Sequence, residues 1–70
     1  MTSSTHRAVI VSVSPSGRSC WSVTDDQGVV YRTFNQWIAS LASEYLKTGA
    51  IVDITFHHGW QHRDLQRLQP

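Results

Sequence analysis

Along most of this chain apolar and polar positions alternate, and the period changes once, near the middle. In "RAVIVSVS", residues 7–14, Val9, Val11 and Val13 share one face at period two, with Ala8, Ile10 and Ser12 on the other. That pattern predicts a first strand, buried on one face and partly covered on the other. "PSGR" then supplies proline and glycine for a turn. In "SCWSVTD", Trp21 and Val23 share a face opposite Cys20, Ser22 and Thr24, which predicts a second strand. "DDQG" is a hairpin loop in which Gly28 provides a positive φ. "VVYRTF" is a third strand, with Val30 and Phe34 on one side and Val29, Tyr31 and Thr33 on the other. Arg32 falls among the apolar residues of the first side, which places it at a sheet edge or beside a register-shifting bulge.

The period then lengthens. In "TFNQWIASLASEYLKTG", Ile38, Leu41, Ala42, Tyr45 and Leu46 recur at the i, i+3, i+4, i+7, i+8 spacing of one helical face. Thr33 and Gln36 have capping-box spacing, and Asn35 competes as the N-cap. Lys47 near the end suits the helix dipole, and Gly49 is placed as a left-handed stop. Trp37 lies beside the apolar stripe, where it would cover an open end of the core. Alternation returns in "AIVDITF", with Val52, Ile54 and Phe56 opposed to Ile51, Asp53, Thr55 and His57. "HHGWQ" turns at Gly59, and "HRDLQRL" reads as a weaker fifth strand anchored by Leu65 and Leu68. Those leucines are three apart, so a short helical turn fits them as well. Residues 1–6 are small and polar, the pattern of a disordered N-terminal tail ahead of one domain spanning residues 7–70.

The reading is mainly β with one helix, in the order β-β-β-α-β-β. A helix between the third and fourth of five strands, with "LKTGAIVDITF" leading into a turn and "RDL", resembles the OB-fold, a small five-stranded Greek-key barrel. The resemblance covers about residues 7–68. The rival arrangement is an open antiparallel sheet with one helix packed across it. Barrel closure would remove the exposed edges that so small a sheet must otherwise protect. The resemblance implies a ligand surface across the second and third strands and the two loops beside them. On this sequence that surface takes in Arg18, Tyr31, Arg32, His58, Trp60, His62 and Arg63.

Size and charge narrow the function. Seventy residues bury a thin core. The single cysteine, Cys20, excludes an intrachain disulfide and fits a reducing compartment. There is no basic region followed by a long apolar stretch near the start, so a soluble, cytoplasmic protein is expected, without membrane association. The net charge of +1 lacks the strong positive field of a duplex-DNA binder. Five of the six fixed cations are arginines, which suit phosphate and base stacking, although ordinary solvated charge accounts for any one of them.

Candidate chemistry concentrates in "FHHGWQHRDLQ", residues 56–66. His57, His58 and His62 have metal-ligand chemistry, but strand neighbours point apart, and structural zinc sites use several cysteines. No metal and no cofactor are expected. Cys20, His62 and Asp64 are the residue types of a nucleophile, base and orienter, yet no motif unites them, so no enzyme is expected. What remains is non-catalytic binding. Single-stranded nucleic acid is slightly favoured, with Trp60 and Tyr31 stacking on bases and Arg18, Arg32 and Arg63 on phosphates. The alternative is a small protein-interaction module or inhibitor acting through an aromatic patch, in the manner of small phage and mobile-element proteins such as anti-CRISPR inhibitors. Trp, Tyr and Arg dominate protein hot spots too. A homodimer is a third use of the same surface.

Overall fold

The computed structural model describes residues 2–70. Six elements follow the order that the pattern predicts: β1 (Ser3–Pro15), β2 (Trp21–Asp25), β3 (Val30–Thr33), α1 (Gln36–Thr48), β4 (Ile51–His58) and β5 (Arg63–Gln69). β1 starts earlier than the expected tail allows. Residues 3–6 pair with residues 54–57 of β4. Their small side chains suit that edge: the Thr5 and Thr55 hydroxyls share a 3.1 Å hydrogen bond, and Ser4 Oγ lies 2.9 Å from His58 Nε2.

Two register shifts decide which residues face inward. In β1 the pairing with β2 slips between Ile10 and Ser12, so Val11 is an extra residue and projects to solvent. Before the slip, Ala8 and Ile10 are buried rather than the valine face; after it, Val13 packs against the core. In the β4–β5 pair, Phe56 faces Leu65 and Thr55 faces Arg67, which leaves Gln66 as the extra residue. Reversal of the alternation there brings both Leu65 and Leu68 inside a strand, where their spacing also fitted a helical turn.

β3 needs no such device. It pairs with β2 in continuous register, Ser22 opposite Arg32 and Val23 opposite Tyr31. Tyr31 and Thr33 are buried, and Val30, Arg32 and Phe34 share the outer side. Arg32 is therefore in register with an outward face, not displaced onto an inward one.

Helix α1 is capped as its sequence dictates. The Asn35 side chain accepts from the Trp37 and Ile38 amides, so Asn35 wins over the capping-box alternative. Thr33 Oγ1 accepts instead from the Asn35 amide. Gly49 ends the helix at φ 69° with its amide on the Tyr45 carbonyl. Ala39 and Ala42 are buried, Ile38 and Tyr45 pack partly, and Leu41 and Leu46 stay largely open.

The strands are ordered β1-β2-β3-β5-β4, and the N-terminal half of β1 pairs in turn with β4. This is not the OB-like barrel expected from the element order. The strands are not set evenly round an axis, and they form a mixed five-stranded sheet with one helix. It is not the all-antiparallel alternative either, because β3 and β5 run parallel. The physical reason lies in that contact. It holds only two residue pairs, Tyr31 with Arg63 and Arg32 with Asp64, before β3 ends and the chain turns into α1.

Candidate functional site

The structure has three settings of interest, and the seven expected contact residues fall into the first two. Tyr31 is in the first, the interior, and is fully buried. Its hydroxyl donates to Asp25 Oδ2 at 2.7 Å, and His6 Nδ1 lies 3.2 Å from the same oxygen. The phenol has one proton and gives it to Asp25, so His6 must donate through Nδ1–H. The other Asp25 oxygen accepts from the Gln27 and Val29 amides at 2.9 and 3.0 Å, which ties down the β2–β3 turn. Phe56 meets the Tyr31 and His6 rings edge-on at 5.1 and 5.0 Å. Burial, then the Asp25 hydrogen bond and the Asp25 charge, push the Tyr31 phenol far above its ordinary value of 10.0. No base can stack on this ring while the core is intact.

The second setting is the β4–β5 loop. The Gly59 amide donates to the His62 carbonyl at 2.8 Å and closes the turn. A Cβ at Gly59 would sit 2.6 Å from that carbonyl oxygen, so the closure requires glycine. Trp60, at 95% exposure, stands free on this loop, with exposed His58, His62 and Arg63 around it. The His58 ring leans on Phe56 at 5.1 Å. Arg32 reaches the loop from β3: Nη1 donates to His62 Nε2 at 3.0 Å and Nη2 to Ser16 Oγ at 3.4 Å. Ser16 in turn belongs to the β1–β2 loop, which its own amide closes onto the Cys20 carbonyl at 2.8 Å. Arg18 is exposed on that loop between Gly17 (φ 120°) and Ser19 (φ 53°).

The third setting was not among the expected contacts. An open groove of about 740 Å³ lies where β3 leaves β5, with Phe34 and Ile38 on one side and Asp64, Leu65 and Gln66 on the other. Phe34 is 69% exposed, and Trp37, three positions on, is 84% exposed. Trp37 thus covers no opening of the core. The signal for both was in the chain. Once Tyr31 and Thr33 face inward, Phe34 continues the outer row of Val30 and Arg32. Once Asn35 caps the helix, the inward stripe begins at Ile38 and leaves Trp37 outside.

The electrostatics are mixed. Arg7 pairs with Asp53 at 3.0 Å, and Lys47 lies 3.6 Å from Glu44. Among the described residues neither an aromatic cluster nor a basic surface patch is identified, nor any group of three or more His, Cys, Asp and Glu side chains able to hold a metal ion. Cys20 is buried, while His62 is exposed and accepts from Arg32. Among the described residues no helix is long and apolar enough to cross a membrane. No protein-family model matches the chain, and neither a curated protein nor a solved structure matches it.

Proposed function

We propose that the chain is a small non-catalytic protein-binding module whose anchors are Phe34 and Trp37 at the β3–α1 junction. The observation that carries this reading is the exposure of two large aromatic side chains, three residues apart, of which Phe34 borders an open groove. A protein interface gains most from such rings, since each can withdraw roughly 150–250 Å² from water on docking. Trp60 supplies a further exposed ring, on the β4–β5 loop.

The nucleic-acid reading has less support. It relied on Tyr31 for stacking, and Tyr31 is interior. It relied on Arg32 for phosphate, and that guanidinium already donates to His62 and Ser16. With a net charge of +1, little remains to steer a polyanion.

The test is retention of partner protein from lysate by the immobilised chain, compared with Phe34→Ala and Trp37→Ala. The expected result is a discrete protein retained through a high-salt wash and lost with either variant. The opposing result is no such dependence on Phe34 or Trp37, together with salt-sensitive quenching of tryptophan fluorescence by a mixed-sequence single strand. That pair of results would return nucleic acid to first place.

A further inference from the structure

We propose that the contact between Arg32 and His62 is an acid-released latch, which holds the Trp60 loop to the sheet while His62 is neutral and frees it when the ring takes up a proton. The latch is independent of the protein-binding reading. A guanidinium carries five N–H donors and no acceptor, and it keeps its proton in proteins. Arg32 Nη1 lies 3.0 Å from His62 Nε2, so the ring nitrogen has to accept. The contact therefore fixes the neutral Nδ1–H tautomer of His62. A second proton would go on Nε2, the atom that accepts. It would set one N–H against another, and an imidazolium against a guanidinium.

The other histidines have no such constraint. Ser4 Oγ, 2.9 Å from His58 Nε2, can donate to a neutral ring or accept from a charged one. His6 already donates to Tyr31 through Nδ1–H, and a proton on its other nitrogen leaves that bond intact. His57 Nδ1 is buried without a hydrogen-bond partner, so no bond of that atom is lost on protonation. Among the described hydrogen bonds, only that of His62 requires a neutral ring.

Position gives the latch its leverage. Arg32 also donates to Ser16 Oγ at 3.4 Å, so one side chain ties together β3, the β4–β5 loop and the β1–β2 loop. It does so beside the parallel β3–β5 pairing, which holds only two residue pairs. The charged and titratable groups of the elements meeting here are Arg32 from β3, His58 from β4, Arg63 and Asp64 from β5, and Arg18 two residues beyond Ser16. The arginines add to the repulsion of a charged His62. Asp64, whose carboxylate lies against Gly59 of the same loop, opposes it. Asp64 is also in register with Arg32, so the released guanidinium has a carboxylate on the neighbouring strand to turn to.

The test is NMR on the full chain between about pH 8 and about pH 5, the span in which histidines change charge. At the upper end the ring nitrogens of His62 are expected to show the Nδ1–H tautomer. On acidification the order parameter of the Trp60 amide is expected to fall from about 0.85 to below about 0.6, in step with protonation of His62 and not of His58. His62→Gln keeps a side-chain acceptor that does not titrate, so its loop should stay ordered across the whole range. Three results would overturn the proposal: an Nε2–H tautomer of His62 at the upper end, loop order unchanged as His62 charges, or equal loosening in acid of His62→Gln and wild type. The first two are read on the wild-type chain and decide the matter even if the variant does not fold.

Discussion

Two aromatic regions of this molecule have opposite circumstances. Around Tyr31, three rings and a carboxylate are packed so that the hydrogen-bonding atoms of Tyr31 and Asp25 find partners. Around Phe34 and Trp37, two rings of similar size stand in solvent at the head of a helix. The first arrangement explains itself within one chain. The second leaves two rings in solvent, apolar area that the proposed partner would cover. Residue type does not distinguish them; the side of the sheet each ring occupies does.

The contrast predicts that stability resides at one region and binding at the other, and substitutions should separate the two. The largest effect is expected at Asp25. Asp25→Ala strips the acceptor from two amides and a buried hydroxyl, and should cost about 3 kcal/mol in denaturant unfolding. A loss near zero would mean that water replaces the carboxylate and that the interior knot is not what holds the turn.

Tyr31→Phe comes next. It leaves Asp25 Oδ2 without its hydroxyl donor and should cost about 1–3 kcal/mol. The same substitution should change the alkaline limb of stability. The folded phenol holds its proton well above 10.0, whereas the unfolded chain releases it near that value. Below about pH 10 the phenol contributes no pH dependence. Above it the unfolded state binds fewer protons, and stability should fall by about 1.4 kcal/mol per pH unit from this group alone. Urea midpoints of wild type and Tyr31→Phe between neutral and alkaline pH should show that part of the slope missing in the variant.

The smallest effect on stability should come from the exposed rings. Phe34→Ala and Trp37→Ala should each shift unfolding by no more than about 0.5 kcal/mol while abolishing partner retention. If either destabilised the chain as Tyr31→Phe does, the ring would be part of the core in solution and the comparison would collapse.

How much of this was legible in the chain varied with the range of the interaction involved. Helix α1 was legible because its signals are local: a 3.6-residue apolar period, a polar cap and Gly49. The inward row of β4 was legible because Val52, Ile54 and Phe56 alternate without interruption. β1 and β5 were harder, since each contains a one-residue register shift that depends on the partner strand, at Val11 and at Gln66. Arg32 misled for a related reason. Val30 and Phe34 made its face look like the inner one, although the hydroxyls of Tyr31 and Thr33 had partners waiting inside. The Tyr31 site was invisible because its members are far apart along the chain, Asp25 by 6 residues and His6 by 25. The uneven sheet was invisible too, because strand order alone does not say that β3 and β5 part after two residue pairs.

The long first strand also governs how the chain reaches this structure. Its C-terminal half meets β2 across a short loop, and β4 meets β5 across another, so both hairpins can form from nearby residues. Its N-terminal half must find β4, with Thr5 and Thr55 separated by 50 residues. Joining them requires closure of most of the polypeptide before any contact repays the lost entropy. That seam is therefore expected to be the slow, late step of folding, with Ser3 through Val9 locking last.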